Sequence, residues 1–115
     1  MSENCLFCKI LKKEIPSKAV YEDDKVYAFE DISPQAPVHV LVIPKKHIKS
    51  LNEVNKADSE YLTAMFEAVK KIAKDKGVAE TGYRAVFNVN RDAGMAVDHL
   101  HLHMLGGRAM TWPPG

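Results

Sequence analysis

The sequence has 115 residues, enough for one modest core, and we expect a single domain over residues 1–115. Hydrophobic residues make up 46% and charged residues 27%, and the net charge of +1 favours neither nucleic acid nor a membrane surface as partner. No apolar run approaches the roughly 20 residues of a membrane span, and the N-terminus, with Ser2 and Glu3, is polar and unlike a signal peptide. We therefore expect a cytoplasmic protein.

The N-terminal segment combines a pair of cysteines with a short predicted helix. Cys5 and Cys8 are the only cysteines, and two residues separate them. Such a pair cannot form the disulfide framework of a domain, and no strand precedes it as in a thioredoxin-type motif. We favour metal binding over redox chemistry, with two buried thiols as the structural alternative. Helical spacing of apolar residues predicts a helix over residues 5–13, ended by Pro16.

The next part of the sequence predicts three strands over residues 19–22, 25–30 and 38–43. Asp23 and Asp24 suit a turn between the first two, and a loop with two prolines, residues 31–37, precedes the third. The third strand is the most apolar, apart from His39. The residues alone leave His39 open as either a core histidine or a site residue.

A long helix and a further strand follow. Residues 55–76 carry an amphipathic helical pattern, with Asn55 as the expected N-cap and Gly77 just beyond the C-terminus. Residues 83–90 alternate as a strand does. At the C-terminus, we expect Trp112 to pack on the body of the protein or on a second subunit.

Three of the five histidines lie in one short segment. His99, His101 and His103 alternate with apolar residues, which predicts a strand with all three imidazoles on one face. Such rings can act as a nucleophile and its partners, or as metal ligands. A closed zinc site needs four ligands, and His47 and His99 are the candidates to join the two cysteines.

Groups that can hold an anion lie next to these histidines. The loop that contains Gly94 directly precedes them, and its backbone N–H groups could form an anion cradle. Asn88 could add a further donor. The five strands and one long helix together predict an α+β fold, in which an antiparallel sheet carries the helix on one face and the histidines on the other.

These motifs resemble the histidine triad superfamily and, within it, the Hint branch of bacterial type with an N-terminal Cys-x-x-Cys. The likeness covers nearly the whole chain, at residues 5–10, 14–16, 21–24, 31–37, 41–47, 99–108 and 112–115. It implies a HIT-like fold with a five-stranded antiparallel sheet, one long helix and one short helix. It also implies a homodimer, in which the two sheets join into one and the C-terminal tail lies near the partner's site.

The resemblance implies a purine nucleoside phosphoramidase. Such an enzyme would cleave AMP or GMP from an amine through a nucleotidyl-histidine intermediate, with adenosine phosphoramidate, AMP-lysine and aminoacyl adenylates among its substrates. A dinucleoside polyphosphate hydrolase, from the sister branch, is the enzymatic alternative. A zinc-stabilised nucleotide-binding or scaffold protein with little catalysis is the non-enzymatic alternative.

The resemblance also implies roles for individual residues. His101 would be the nucleophile, and His103 and His39 would orient it and contact phosphate, with His99 completing the histidine motif. The slot for the base would be formed by Leu6, Phe7, Ile10, Phe29, Ile32 and Leu41. Asp31 would bind the ribose. The phosphate site would be formed by Asn88, Gly94, Ala96 and Val97. A structural zinc ion would be held by Cys5, Cys8, His47 and His99, and catalysis would require no cofactor.

The sequence departs from the resembled enzymes in front of the histidines. Ala96 stands where those enzymes have a serine, and Asp98 where they have a tyrosine, while Thr111 replaces the histidine that some of them carry before Trp112. A hydroxyl at position 96 would contact the phosphate or the leaving group. Because a hydrogen bond to a charged group contributes about 1.5–3 kcal/mol, we expect slower turnover and an altered leaving-group preference.

Overall fold

The computed structural model describes residues 4–115, so the N-terminal Ser2 and Glu3 lie outside the described range. Its elements are α1 (Leu6–Leu11), β1 (Ala19–Glu22), β2 (Val26–Glu30), β3 (Val38–Pro44), α2 (Ser59–Asp75), β4 (Tyr83–Phe87) and β5 (Leu102–Gly106), with single 3-10 turns at Leu51–Glu53, Lys56–Asp58 and Arg91–Ala93. Within residues 4–115, no helix is both long and apolar enough to cross a membrane.

The strands form one sheet in the order β1-β2-β3-β5-β4, and every neighbouring pair is antiparallel. This confirms the α+β prediction. The apolar strand β3 lies at the centre and is buried from His39 to Pro44. A strand that is covered on both faces has a nearly continuous apolar sequence, which is what β3 shows.

Strand register separates the side chains into two layers. Opposite residues of an antiparallel pair point to the same face, and successive residues alternate. Phe29 pairs with Leu41, and Leu41 pairs with His103, so these three side chains form a row on one face. The opposite face carries the core under α2, which contributes Met65, Ala68, Val69, Ile72 and Ala73. The first face carries a smaller core under α1, which includes Phe7 and Ile10.

The predicted helix over residues 55–76 is divided into a 3-10 turn and α2. Asn55 caps the turn rather than the α-helix: its side chain accepts the Ala57 N–H at 2.9 Å. The buried Asp58 carboxylate accepts the N–H of Asn55 at 3.1 Å and completes a capping box. Because its other oxygen pairs with Lys46, the carboxylate makes no contact that would cap α2 itself.

The histidine segment is a strand only from Leu102 onward, so the prediction of a strand that includes His99 and His101 was wrong. Pairing between β3 and β5 ends at Val42 and Leu102. Beyond this pair, Pro44 has no N–H to continue the ladder, and the N–H of Leu100 donates to the carbonyl of Ile48. The chain therefore joins the sheet only after His101.

Other predicted boundaries also differ. Helix α1 is shorter than predicted, because Lys13 has a positive φ of 65° that ends the helical path. Strand β4 ends at Phe87 rather than residue 90, and the chain turns at Asn90, whose φ is 64°. Trp112 is 83% exposed and does not pack on the body of the described chain. The main chain beside it is held to β4, where Arg84 donates to the Thr111 carbonyl at 2.9 Å.

Replacing Asn55 with alanine should lower the free energy of unfolding by about 1 kcal/mol, because the Ala57 N–H loses its partner. Urea denaturation of both proteins measures the difference. Asn52→Ala is the matched control, since the Asn52 side chain makes no hydrogen bond within residues 4–115. Equal losses in the two variants would contradict the capping role.

Candidate active site and metal centre

Two groups of polar side chains lie on the face of the sheet that α1 covers. His39 and Leu41 alternate along β3 and point to the same side, and Leu41 lies opposite His103. His39 and His103 are therefore diagonal neighbours. His99 and His101 precede β5, yet the Phe7 ring of α1 contacts both in edge-on geometry, at centroid distances of 5.9 and 5.1 Å. The histidine rings therefore lie on one side of the molecule, although only His103 of the histidine segment lies in β5.

The first group brings together the four residues that the sequence proposed as metal ligands. The ligand atoms of Cys5, Cys8, His47 and His99 lie within 4.8 Å of one another. Two atoms lie close to His99 Nδ1: Cys5 Sγ at 3.3 Å and His47 Nδ1 at 3.2 Å. Cys8 Sγ lies 3.2 Å from His47 Nδ1. Two thiols and two imidazoles in this arrangement could hold a metal ion.

The hydrogen bonds of His99 leave its Nδ1 available as a metal ligand. Nε2 lies 3.0 Å from the carbonyl oxygen of Pro44. Since a carbonyl only accepts, Nε2 carries the proton and Nδ1 presents its lone pair to the cysteines. A metal-ligating histidine usually donates the N–H of its other ring nitrogen to a backbone carbonyl, a carboxylate or water, which fixes the orientation of the ring. Burial lowers the pKa of His99 to about 4, so the ring is neutral at pH 7.

The second group is a chain of hydrogen bonds that fixes His39 and His103. The N–H of Gln35 donates to His39 Nδ1 at 3.0 Å, so the proton of a neutral His39 is on Nε2. This Nε2 lies 2.9 Å from His103 Nδ1, which must then accept and leave the His103 proton on its own Nε2. Burial, together with His101 and His39 nearby, lowers the pKa of His103 to about 4. A neutral His103 therefore offers an N–H donor.

His101 carries its proton on Nδ1, whereas His39 and His103 carry theirs on Nε2. Its Nδ1 lies 2.7 Å from the main-chain carbonyl oxygen of His99, to which it must donate. The lone pair of a neutral His101 is therefore on Nε2. Burial lowers the pKa of His101 below its ordinary value, which favours this neutral form. The His101 and His103 ring centroids are 5.1 Å apart, so a ring with a lone pair on Nε2 neighbours a ring with an N–H on Nε2.

Asp31, His39 and His103 also bring three potential ligand atoms within 4.8 Å of one another. Their hydrogen bonds suit a metal less well. His39 would have to lose the proton on Nε2 to ligate through it, and its Nδ1 already accepts the N–H of Gln35. Asp31 lies 3.4 Å from that Nε2 and also accepts the Ser33 N–H at 2.8 Å. This group is better suited to orienting imidazoles and binding hydroxyls.

An apolar cavity of about 170 Å³ opens beside this network, and it is here called the base slot after the role that the sequence predicts for its residues. Its lining includes every residue predicted for the base and the ribose, namely Leu6, Phe7, Ile10, Phe29, Asp31, Ile32 and Leu41. The side chain of Ile32 is 98% exposed and forms only the rim. Pockets that enclose a whole small-molecule ligand measure about 300–1,000 Å³, so this smaller slot suits a flat ring with the rest of the ligand outside.

The loop in front of the histidines contains free backbone donors, but not at Gly94. The N–H groups of Gly94 and Met95 donate to Arg91 and Asn90 within the loop. Gly94 instead supplies a left-handed turn, with a φ of 76°. The N–H groups of Ala96 and Val97 make no hydrogen bond within residues 4–115, so these two could receive an anion. Asn88 lies beyond β4 and lines a separate cavity with Trp112.

Sequence reasoning missed the residues that hold His39. The Arg108 guanidinium donates twice to the Gln35 carbonyl, at 3.2 and 3.1 Å, and so holds the loop whose N–H contacts His39. The close approach also needs Gly107, where a Cβ would lie 2.9 Å from Pro37. Periodicity does not link residues 35 and 108. The base slot also includes Glu30 and the segment Ile15, Pro16 and Ser17, and the break at Pro16 could have suggested that segment.

Comparisons with known proteins agree with this geometry. A family model described as "Scavenger mRNA decapping enzyme C-term binding" matches residues 4–111. The purine nucleoside phosphoramidase of Escherichia coli K12 is 48% identical over 110 residues, which cover 96% of this chain and 92% of that protein. A HIT-like protein of Synechococcus elongatus is 50% identical over the full length of both chains.

Solved structures give the same result. The crystal structure of a HIT family hydrolase from Legionella pneumophila superposes with a TM-score of 0.95 and 58% identity, covering 97% of this chain and 100% of that one. A HIT family hydrolase from Clostridium thermocellum gives a TM-score of 0.94 and 50% identity, with 96% of each chain covered. With the fold, the histidine arrangement and the full-length similarity in agreement, the chain belongs to the histidine triad family and is one of its hydrolases.

Proposed function

We propose that the protein hydrolyses the P–N bond between a purine nucleoside monophosphate and an amine. The name of the Escherichia coli relative supports this substrate class. The site supports a nucleotide substrate and a histidine nucleophile, because Phe7, which lines the slot, contacts His101, whose Nε2 carries a lone pair. The observation that carries the proposal is the hydrogen bond from His101 Nδ1 to the His99 carbonyl, since it leaves His101 Nε2 free to attack.

In the first chemical step, the Nε2 lone pair of His101 attacks the phosphorus. The P–N bond to the amine breaks as the bond to Nε2 forms, and the departing nitrogen takes a proton from water. This splits one difficult hydrolysis into two easier transfers. In the second step, water attacks the phosphorus and releases one proton, which neutralises the hydroxide left when the amine was protonated. The bond to Nε2 breaks, its electron pair returns to Nε2, and AMP or GMP leaves with His101 regenerated.

The neighbouring groups position the phosphate and the ribose in this proposal. His103, neutral with its proton on Nε2, donates to a phosphate oxygen, as do the free N–H groups of Ala96 and Val97. Fixed donors aimed at developing negative charge are an efficient way to stabilise a transition state. Asp31 accepts from the ribose hydroxyls, since a carboxylate has more acceptor sites than Ser33 and His39 occupy.

Replacing His101 with alanine should lower kcat for adenosine 5′-phosphoramidate by about a thousandfold or more, as removal of a nucleophile typically does. Steady-state assays of AMP release measure the loss. Mass spectrometry of the wild-type protein, quenched during turnover, should find AMP on the peptide that contains His101.

His101→Asn serves as the control for folding and binding. It should still bind AMP, because the base slot is intact, and its circular dichroism spectrum should match that of the wild type. Undiminished hydrolysis in either variant would show that His101 is not the nucleophile.

We further propose that Cys5, Cys8, His47 and His99 hold a zinc ion. Two cysteines and two histidines form a common closed zinc site, and the lone pair of His99 Nδ1 points to the other ligands. A closed site leaves no position for substrate, so the ion would be structural. It would hold the N-terminus of α1 against the segment that leads into His101.

Freshly purified protein should contain about one zinc ion per chain, and a Cys5→Ser, Cys8→Ser double variant should contain essentially none, because zinc prefers thiolates to hydroxyls. Plasma emission spectrometry measures the metal. His39→Asn, which removes a histidine outside the cluster, should keep its zinc. If the double variant fails to fold, chelation of the wild type should lower its melting temperature instead. Metal-free fresh protein would contradict the proposal.

We also propose a homodimer that joins two sheets through β4. Strand β4 lies at one edge of the sheet, and its outer backbone groups are available for pairing. Trp112 is exposed beside it, held by the contact between Arg84 and the Thr111 carbonyl. A second subunit would cover this aromatic side chain and place the tail near the partner's site.

Replacing Ala96 with serine should raise kcat/KM for adenosine phosphoramidate by about ten- to a hundredfold, because a hydroxyl there adds a hydrogen bond to a charged phosphate. Ala93→Ser, in the 3-10 turn of the same loop, is the matched control and should leave the rate unchanged. An unchanged or lower kcat/KM in Ala96→Ser would mean that position 96 does not face the phosphate.

A further inference from the structure

A cavity of about 510 Å³ lies against the cysteine cluster and has no role in the chemistry described so far. Its lining includes Cys5 and His47 from the cluster, together with Leu6. Cys8 does not line the cavity and is 0% exposed, whereas 7% of the surface of Cys5 is exposed. A small reagent that enters this cavity therefore meets Cys5 before Cys8.

The two thiols are arranged for oxidation to a disulfide. Both cysteines are reduced, and their Sγ atoms lie within 4.8 Å of each other. Cys5 is the N-cap of α1, and the Cys8 N–H in the first turn donates to Cys5 Sγ at 3.3 Å. Because residues three apart on a helix are neighbours on its surface, side-chain rotation and a small shift of this turn bring the sulfurs to the roughly 2.05 Å of a disulfide.

We infer that the cysteine pair is a site of oxidation by hydrogen peroxide, in which Cys5 reacts first and Cys8 completes a disulfide. The Cys5 thiolate attacks one peroxide oxygen, so that the S–O bond forms, the O–O bond breaks and a hydroxide leaves. The Cys8 thiolate then attacks the sulfur of Cys5, so that the S–S bond forms, the S–O bond breaks and a second hydroxide leaves. The two thiolates lose two electrons, which reduce the peroxide to two hydroxides.

The disulfide removes half of the metal ligands. A metal binds the thiolate form of cysteine, and neither sulfur is a thiolate after oxidation. His47 and His99 are then the remaining ligands of the cluster, fewer than the four of a closed zinc site, so the oxidised site no longer holds the ion. The approach of Cys5 Sγ to His99 Nδ1, 3.3 Å in the reduced protein, changes at the same time.

Phe7 extends the effect to the base slot, and this part of the inference rests on the proposed function. Phe7 lies between the two cysteines in the first turn of α1. Its ring contacts Phe29 of the base slot at a centroid distance of 5.6 Å and His101 at 5.1 Å. A shift of this turn moves the ring away from both. Oxidation should therefore weaken AMP binding by about two- to tenfold, the size of one lost aromatic contact.

The thiols of the wild-type protein can be counted before and after treatment with hydrogen peroxide. After denaturation, iodoacetamide should modify both cysteines of the reduced protein and neither of the oxidised one, as measured by mass spectrometry, and dithiothreitol should restore both. A coloured zinc indicator should report metal release in step with the loss of thiols. Diamide, which oxidises thiols but not methionine, should give the same disulfide and is the control for methionine oxidation.

Two matched variants test the order of attack. In Cys8→Ser, the sulfenic acid of Cys5 has no thiol to react with, so dimedone should trap it. In Cys5→Ser, the buried Cys8 should take much less dimedone. The wild type gives the same test without a substitution, because dimedone present during oxidation should mark Cys5 rather than Cys8. Predominant labelling of Cys8 in the wild type would overturn the order of attack.

Isothermal titration calorimetry with AMP measures the effect on the base slot. The oxidised protein should bind AMP about two- to tenfold more weakly than the reduced protein, and dithiothreitol with zinc should restore the affinity. Thiols that stay fully reactive after peroxide treatment would overturn the inference, and so would a disulfide that leaves the AMP affinity unchanged. If the reduced protein does not bind AMP, the proposed function fails, whereas the thiol count and the zinc release still decide whether the cysteine pair is a site of oxidation.

Discussion

The hydrogen bond between His101 Nδ1 and the carbonyl oxygen of His99 determines the chemistry of the site, because it places the lone pair of His101 on Nε2. The position of that carbonyl depends on His99, whose ring is held at both nitrogens. Nε2 donates to the Pro44 carbonyl, and Nδ1 lies among the ligand atoms of the cysteine cluster. A buried ring with no role in bond breaking therefore sets both the position and the tautomer of the proposed nucleophile.

The same principle explains how similar imidazoles obtain different properties. Each ring nitrogen takes its role from the fixed partner of the other nitrogen. The Gln35 N–H makes Nδ1 of His39 an acceptor, and His39 in turn makes Nδ1 of His103 an acceptor. Arg108 supports this chain from outside, by holding the carbonyl of Gln35. Burial keeps His103 uncharged, so the direction of its hydrogen bonds does not reverse near neutral pH.

The sequence predicted those features that follow from local periodicity and ligand chemistry. Alternation separated the core side chains from the histidines, and the need of zinc for four ligands brought His47 and His99 to the cysteines, whose atoms the structure places together. Features that depend on contacts between residues distant in the sequence could not be predicted. The start of β5 depends on the contact between Leu100 and Ile48, and the tautomer of His39 depends on a loop that Arg108 holds.

Helix α1 makes the cysteine cluster and the base slot parts of one unit. A helix of six residues is too short to be stable by its own hydrogen bonds. Its N-terminus is fixed at Cys5, whose Sγ accepts the Cys8 N–H and approaches His99, and its apolar side packs through Phe7 and Ile10. The Phe7 ring contacts both Phe29 in the slot and the ring of His101. Any change that releases the cysteines therefore alters the wall of the base slot and the support of His101 together.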